Sequence, residues 1–268
     1  MKNVLTIAGS DSSGRAGIQA DLKTMCALGV YGMSAITAVT AQNAQGVYAL
    51  QEIDPAIVDD QIRVVFEDIR VDAVKVGMVS NARIIRTINE RLLALGTKNI
   101  VVDPVMVSKS GASLLRKDAI PALHELMEIA DVATPNIPEA EILAEFSIKT
   151  EDDMRRAARI IAAQGVKNVL IKGGRRMEND AGDLLLTGGK FIFLRAGRVG
   201  IKNTHGTGCS LSTAIASRLA LGDTVEAAAR AAKKFITQAI IDSCEVGNGT
   251  EPVGHLADLY RRAGMEVL

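Results

Sequence analysis

Short apolar runs alternate with helical patterns along the first 172 residues, and this alternation leaves few possible folds. Six runs rich in alanine and β-branched residues predict buried strands, at 4–8, 33–41, 73–78, 99–102, 131–134 and 167–172. The segments between them place apolar residues at helical spacing. Strands that are joined through helices form a parallel sheet with helices on both faces. The sequence therefore predicts an α/β protein.

Several predicted helices have recognisable capping residues. Asp54 followed by Pro55 marks a helix start, and Ser80 is expected to cap the next helix. Helices are expected at about 16–28, 55–68, 80–96, 150–165, 224–244 and 256–263, with others after residues 113, 139 and 206. Residues 183–187 and 191–194 flank a glycine turn and predict an antiparallel hairpin. No linker or repeat interrupts the chain, so we expect one domain over residues 1–268.

The composition argues against several classes of protein. Lys and Arg together equal Asp and Glu together at 31 each, and only 3% of the residues are aromatic, which disfavours binding to nucleic acids or membrane surfaces. No apolar run approaches the ~20 residues of a membrane span. The three cysteines are widely separated and form no Cys-x-x-Cys motif, so we expect a reduced, cytoplasmic setting.

A glycine-rich loop at 202–210 precedes another helical pattern. Gly206 and Gly208 enclose Thr207, and Cys209 follows. The N-terminus of a helix has backbone N–H groups without partners and a partial positive charge, and glycines let a ligand approach closely. The loop therefore predicts an anion hole suited to phosphate, with a plain turn into a helix as the alternative. The same dipole would favour the thiolate of Cys209.

Further polar residues stand at or near predicted strand ends, which share one edge of a parallel sheet. Asp103 and Glu139 carry carboxylates that suit Mg²⁺, Lys172 would neutralise phosphate, and Cys209 stands where a base for an attacking hydroxyl would lie. Each also has a structural explanation. Asp103 could be a turn residue and Glu139 a partner of the helix dipole, while Lys172 could be a solvated charge and Cys209 a buried apolar side chain. Their coincidence at one edge favours phosphoryl transfer.

Two common nucleotide motifs fail here. The loop at 9–17 has the glycine spacing of a P-loop, but Arg15 and Ala16 stand where the lysine and the magnesium-binding hydroxyl belong. A dinucleotide fold needs an acid at the end of the second strand, whereas this chain has Gln42 and Asn43, which disfavours an NAD-dependent oxidoreductase. Gln42 offers an amide that suits the edge of a heterocycle, or it is simply a strand-end turn residue.

Eight segments in order over nearly the whole chain give a more specific signal, at 5–14, 16–24, 37–43, 75–78, 102–106, 134–139, 171–174 and 203–209. They resemble the hydroxymethylpyrimidine/phosphomethylpyrimidine kinases of the ribokinase-like superfamily. The resemblance implies a three-layer α/β/α fold with a mostly parallel central sheet and an antiparallel hairpin. It also implies ATP-dependent phosphorylation of 4-amino-5-hydroxymethyl-2-methylpyrimidine to its monophosphate and then to the diphosphate, in thiamine biosynthesis.

The resemblance also implies roles for particular residues. Gln42 is expected to bond the aminopyrimidine. The residues expected to line its pocket are Ala16, Asp21, Thr40, Met78 and Val105. ATP and Mg²⁺ are the implied cofactors; the residues toward ATP are Asn136, Glu139, Lys172 and Thr204, and those toward the metal are Asp103 and Glu139. The transferring group would be held by Gly206, Thr207 and Gly208 beside Cys209, which is either a true base or a positioned neighbour. Relatives are commonly homodimers, so we expect a homodimer.

Arg15 departs from the Gly-Gly-Ala-Gly loop that is usual in this family. It could clash with a tight loop or bind the substrate phosphate in the second step, but we expect it to point to solvent. Two rival functions remain: a pyridoxal kinase, against which Gln42 argues, and a non-catalytic pyrimidine sensor, against which the retained acids and Lys172 argue. The loop at 105–113 is a candidate for closing over the site.

Overall fold

The computed structural model describes residues 1–108, 111, 113–174, 182–196 and 204–266. The strands of the main sheet are β1 (Asn3–Asp11), β2 (Tyr31–Gln42), β3 (Val47–Glu52), β4 (Ala73–Val76), β5 (Ile100–Val102), β6 (Val132–Ala133), β7 (Val169–Ile171), β8 (Asp183–Thr187) and β9 (Lys190–Leu194). They lie in the order β3-β2-β1-β4-β5-β6-β7-β8-β9, and β2, β1 and β4 to β7 are parallel. β3, β8 and β9 run antiparallel to their neighbours. A separate parallel pair consists of β10 (Thr204–His205) and β11 (Glu251–Pro252).

Helices cover both faces of the sheet. Those within the described residues are α1 (Gly17–Ala27), α2 (Pro55–Asp68), α3 (Ala82–Ala94), α4 (Ile120–Glu128), α5 (Ile137–Ala144), α6 (Glu151–Ala163), α7 (Thr207–Ala220), α8 (Val225–Ile241) and α9 (Ala257–Arg262). Successive residues of β1 point to opposite faces. Leu5 joins an apolar core with α2 to α6, whereas Val4 joins a second core with α1, α7 and α8. The predicted three-layer α/β/α architecture and its antiparallel hairpin are confirmed.

The order of the strands creates a switch point beside β1. From β1 the chain goes first to β2 on one side and then, through β3 and α2, to β4 on the other side. In open α/β sheets, ligands bind at the carboxyl ends of the strands next to such a reversal. Asp11, Gln42, Asp103 and Lys172 lie at the ends of β1, β2, β5 and β7, so they share this edge.

Three local predictions need correction. The edge strand β3 was not predicted, because exposed residues such as Tyr48 and Leu50 lack the pattern of a half-buried strand. Asn81 rather than Ser80 caps α3, because the Asn81 side chain accepts the N–H of Ile84 at 3.0 Å. Helix α8 ends at Ile241 rather than near residue 244.

Candidate active site

Helix α7 begins at the predicted anion loop. Gly206 is its N-cap with a φ of 86°, and a Cβ at this position would lie 1.9 Å from the carbonyl oxygen of Arg15. A side chain is therefore excluded both by the backbone conformation and by the space. The first turn of a helix leaves N–H groups without carbonyl partners, here those of Thr207, Gly208 and Cys209. Their partial positive charge suits an anion such as a phosphoryl group.

Lys172 joins this loop to the sheet. Its Nζ lies 2.6 Å from Oδ1 of Asp103 and would lie 3.2 Å from a Cβ on Gly208. One turn along α7, the Ser212 hydroxyl donates to the carbonyl of Gly208 at 2.9 Å and lies 2.7 Å from Oγ1 of Thr134. Thr134 Oγ1 in turn lies 3.3 Å from Oδ1 of Asp103. The ends of β5, β6 and β7 and the start of α7 thus form one hydrogen-bonded network.

Glu139 is the second buried acid of this region. Its Oε2 accepts the backbone N–H of Asn136 at 2.8 Å, and Oδ1 of Asn136 accepts the N–H of Glu139 at 2.9 Å, which is a capping box at the start of α5. Burial raises the pKa of Glu139 to about 7; the charge of Lys172 opposes this rise, and the carboxylate of Asp103 adds to it. The carboxylate of Asp103 therefore lies close enough to disfavour the charge of Glu139.

The chemistry of these two acids fits a magnesium ion. Among the described residues, no group of three or more His, Cys, Asp and Glu side chains is arranged to hold a metal. Mg²⁺, however, commonly takes one or two carboxylates and keeps several waters. Burial raises the pKa of Glu139, and a cation bound beside it would favour its ionised form. Asp103 and Glu139 are accordingly suited to the predicted role.

Gln42 lies at the other side of the switch point, at the end of β2. Its backbone N–H and carbonyl both bond the Ser12 hydroxyl at 2.9 Å. Thr40 donates from Oγ1 to the carbonyl of Ser10 at 2.9 Å and lies 3.4 Å from Oε1 of Gln42. These contacts fix the strand end, while the half-buried side-chain amide of Gln42 retains donor and acceptor groups for a ligand.

The structure brings other predicted pocket residues to the same place. Met78 follows β4, and its Cε would lie 2.3 Å from a Cβ on Gly9, so it lies against the end of β1. Ala16 precedes α1 and donates its N–H to Asp11 at 2.8 Å. Val105 follows β5, and its N–H donates to the carbonyl of Asp103 at 2.8 Å. Their contact with a substrate stays a prediction.

Asp21 differs from the other predicted lining residues because it is fully buried below them. Its Oδ1 accepts from Thr213 at 2.6 Å, and its Oδ2 accepts from Thr6 at 2.6 Å and from Lys75 at 2.8 Å. Burial by itself would lower the pKa of the fully buried Lys75, but the surrounding negative charges, that of Asp21 foremost and that of Asp103 with it, together with the hydrogen bond to Asp21, raise that pKa. The sequence alone gives Lys75 no role, because the partner of a lysine within an apolar strand is visible only in the fold.

Cys209 connects the two sides of the site. Its sulphur accepts the backbone N–H of Gly17 at the start of α1. Burial raises the pKa of Cys209 to about 11, and the charge of Lys75 offsets this only in part. The expectation that the helix dipole would favour the thiolate is therefore wrong in sign, because the pKa of Cys209 lies above its ordinary value rather than below it.

Arg15 is buried rather than solvated. Only 6% of the residue is exposed, and its Nη2 donates to the carbonyl oxygen of Val246. Its backbone N–H donates to Oδ2 of Asp11 at 3.2 Å, and the carboxylate of Asp11 also accepts from Ser13 and Ala16. The expectation that Arg15 points to solvent is wrong, because the segment around Val246 covers it.

Several predicted residues cannot be placed in this way. Lys202 and Asn203 lie outside the described residues, and so does the side chain of Thr204, so its role toward ATP stays a prediction. The candidate closing loop at 105–113 is described except for residues 109, 110 and 112. In the part of the chain that the structure describes, no helix combines the length and the apolar character that crossing a bilayer requires.

The sequence over residues 11–254 matches the family model of phosphomethylpyrimidine kinase. The chain belongs to this family. A hydroxymethylpyrimidine/phosphomethylpyrimidine kinase of Streptomyces coelicolor is 49% identical over 253 residues, which cover 94% of this chain and 93% of that enzyme. A thiamine biosynthesis bifunctional protein of Geobacter sulfurreducens is 48% identical over 95% of this chain, and the chain spans 52% of that longer protein.

Solved structures show the same fold. An ADP complex of Bacillus subtilis pyridoxal kinase superposes with a TM-score of 0.90 at 39% identity, covering 97% of this chain and 99% of that one. At 39% identity the two chains are alike in sequence as well as in fold. The predicted ribokinase-like fold is confirmed.

Proposed function

We propose that this chain uses ATP to phosphorylate 4-amino-5-hydroxymethyl-2-methylpyrimidine to its monophosphate and then to the diphosphate, for thiamine biosynthesis. The observation that carries the proposal is the meeting of three elements: Lys172 contacts Asp103 at 2.6 Å and lies against Gly208 in the first turn of α7. Phosphoryl transfer needs this combination of fixed donors and positive charge. Membership of the phosphomethylpyrimidine kinase family and the near full-length similarity to the Streptomyces enzyme support the substrate.

In the proposed reaction, the hydroxymethyl oxygen attacks the γ-phosphorus of ATP. A bond forms between that oxygen and phosphorus, the bond from phosphorus to the β–γ bridging oxygen breaks, and ADP leaves. The N–H groups of Thr207, Gly208 and Cys209 would donate to the oxygens of the transferring group, and Lys172 would neutralise their charge. Asp103 and Glu139 would hold Mg²⁺, which when bound neutralises phosphate charge, and Asn136 would keep Glu139 in place through the capping box.

Cys209 has a different role from a ready-made base. A thiol with a pKa of about 11 stays protonated at neutral pH, so it does not hold a waiting negative charge. We propose that Cys209 positions the hydroxymethyl group beside the anion loop. The hydroxyl proton then passes to a phosphate oxygen as the bond to phosphorus forms, which a loose transition state permits.

A second candidate is pyridoxal phosphorylation, which the similarity to Bacillus subtilis pyridoxal kinase favours. The test is ADP formation from ATP and Mg²⁺ with the pyrimidine alcohol, its monophosphate, pyridoxal or ribose, with products identified by mass. We expect both pyrimidine phosphates. Pyridoxal phosphate as the sole product would move the assignment to the second candidate, and no turnover with any compound would favour a pyrimidine sensor.

Gln42 provides a sharper version of this test. We expect Gln42→Ala to lower kcat/KM for the pyrimidine by about 10²-fold or more, because an aminopyrimidine would lose a paired amide. Gln45→Ala, three residues along and exposed, is the matched control and should behave as wild type. Unchanged turnover in Gln42→Ala would remove the reason for preferring the aminopyrimidine.

Assembly and location form part of the same proposal. We propose a homodimer that forms through β3, which pairs with β2 alone among the described strands and exposes 67% of Tyr48. Tyr48→Asp should then sediment as a monomer, whereas Tyr31→Asp at the far end of β2 should not; a monomeric wild type would contradict the proposal. The three free cysteines support a reduced, cytoplasmic setting.

A further inference from the structure

Residues 243–255, here called the strap, run from the end of α8 to the start of α9 and contact the site at several points. Within the strap, β11 pairs with β10, so that Pro252 lies opposite His205 immediately before the anion loop. His255 Nε2 lies 2.7 Å from the hydroxyl of Ser210, in the first turn of α7. The carboxylate of Glu251 accepts from Ser243 at 2.9 Å and closes the strap on itself. One end of the strap is thus fixed to the phosphate side of the site.

The other part of the strap contacts the predicted pyrimidine side. A Cβ on Gly249 would lie 2.5 Å from Cβ of Ala44, two residues after Gln42. Arg15 reaches the strap from the loop before α1 and donates to the carbonyl of Val246. Arg15 is immediately followed by Ala16, another predicted pocket residue. The strap therefore spans the gap between the end of β2 and the loop that precedes α1.

Arg15 is the polar anchor of that span. Residues 245–249 are exposed and adopt neither helix nor strand, so contacts such as the bond from Arg15 to Val246 fix their position. A buried guanidinium is costly unless its N–H groups are bonded, and a bond from a charged donor is stronger than one between neutral groups. Glycine at this position would supply no such donor.

We propose that Arg15 is a positioning residue that seats the strap as one wall of the pyrimidine pocket, and so sets the affinity for the pyrimidine but not for ATP. The inference rests on the proposed function. It assigns Arg15 a task in both phosphorylation steps, in contrast to a residue that binds the phosphate of the second substrate. The two possibilities differ in which substrate an Arg15 variant affects.

The test compares wild type with Arg15→Gly, Arg15→Lys and Gly249→Ala, and with Arg83→Ala as an exposed control on α3. For Arg15→Gly we expect the KM for the pyrimidine alcohol and for its monophosphate to rise roughly tenfold, the scale of one lost charged hydrogen bond, with the KM for ATP within about twofold. Gly249→Ala should reproduce this from the strap side, because its new Cβ meets Ala44. Arg15→Lys should retain part of the effect of Arg15.

A second readout does not depend on turnover. Glu245 lies in the strap, so glutamyl endopeptidase, with cleavage followed by mass, reports how firmly the strap is seated. We expect faster cleavage after Glu245 in Arg15→Gly and Gly249→Ala than in wild type or Arg83→Ala, with unchanged circular dichroism. If Arg15→Gly does not fold, Gly249→Ala and Arg15→Lys decide by the same measurements.

Two results would overturn the proposal. Equal cleavage and equal KM values in all variants would show that Arg15 does not seat the strap. A loss confined to the monophosphate substrate would make Arg15 a phosphate ligand instead. If wild type does not use the pyrimidine at all, the proposed function fails, whereas the cleavage comparison still decides whether Arg15 holds the strap.

Discussion

Two lysine–aspartate pairs bridge the central elements of this protein, and their surroundings differ. Lys75 and Asp21 are 2.8 Å apart, and both side chains are completely buried. Lys172 and Asp103 are 2.6 Å apart, but Lys172 keeps 12% of its side chain exposed while Asp103 keeps 1%. The first pair lies between α1 and β4, and the second lies at the open carboxyl edge of the sheet.

The difference is that between a pair that serves the fold and a pair that, in the function we propose, serves a ligand. Both carboxylate oxygens of Asp21 accept hydrogen bonds from protein side chains, three in all, so the fold itself supplies partners for this buried charge. Lys172 instead lies against Gly208 at the start of α7 and next to a second acid, Glu139. Burial alone would lower the pKa of Lys172, but Asp103 and Glu139 raise it, so the lysine is a lasting positive charge at the anion loop.

The largest expected effect tests the pair of Lys172 and Asp103, here called the open pair. We expect Lys172→Met to reduce kcat about 10³-fold, because the transferring phosphoryl group would lose its neutralising charge. Pyrimidine binding, measured by calorimetry without ATP, should change little. Lys167→Met is the matched control, since Lys167 lies two residues before β7 with 63% of its side chain exposed, in an ion pair with Asp131. If both variants lost activity equally, the contrast between an open and a sealed pair would have no functional meaning.

The pair of Lys75 and Asp21, here called the sealed pair, should show the opposite behaviour, with a loss of stability rather than of activity. Lys75→Met is expected to lower the free energy of unfolding by about 3–5 kcal/mol, because it leaves Asp21 buried without its counter-charge. Activity per folded molecule should stay within about tenfold of wild type, measured after urea titrations establish the folded fraction. Adding Asp21→Asn should recover part of the stability, since the amide keeps a partner for the neighbouring threonine hydroxyls. A stable but inactive Lys75→Met would assign the sealed pair to catalysis.

The same contrast explains what the sequence could predict. Strand runs, caps and strand-end residues such as Gln42 and Lys172 are local signals, and the parallel topology brings strand ends together, so the edge and most of its residues were predictable. Asn136 and Glu139 were recognisable as a pair because they lie three residues apart. The partner of Lys75 lies 54 residues away, and no local pattern encodes it.

Arg15 and Cys209 were misjudged for a related reason. The bond from Arg15 to Val246 crosses 231 residues, and the exposed or buried state of a loop residue depends on what covers it. The thiol of Cys209 has a raised pKa because of burial, whereas its position at a helix start suggests the opposite. Burial comes from tertiary packing, so a helix-end pattern alone cannot fix the sign of such a shift.

The smallest expected effect, and the most specific test, concerns His255 and Ser210, a buried pair that carries no charge. His255 bonds Ser210 at the anion loop, and burial together with the nearby charge of Lys23 lowers the pKa of His255 to about 4, although the backbone near Val253 opposes the shift. The unfolded chain, with a histidine pKa of about 6.5, then binds more protons between these values, so stability falls as pH drops from about 6.5 toward 4. Over this pH range we expect His255 to lower the free energy of unfolding by about 3 kcal/mol.

Urea unfolding at several pH values, compared between wild type and His255→Asn, isolates this term, because the other titrating groups are common to both proteins. The difference in unfolding free energy should shrink or reverse below pH ~6, since asparagine takes up no proton. His124→Asn, on α4, controls for the loss of a histidine that lies on another element. Parallel pH curves for wild type and His255→Asn would mean that His255 takes up a proton as readily in the folded protein as in the unfolded chain. The strap end beside Ser210 would then accept a buried charge, as the site of Lys75 and Asp21 does.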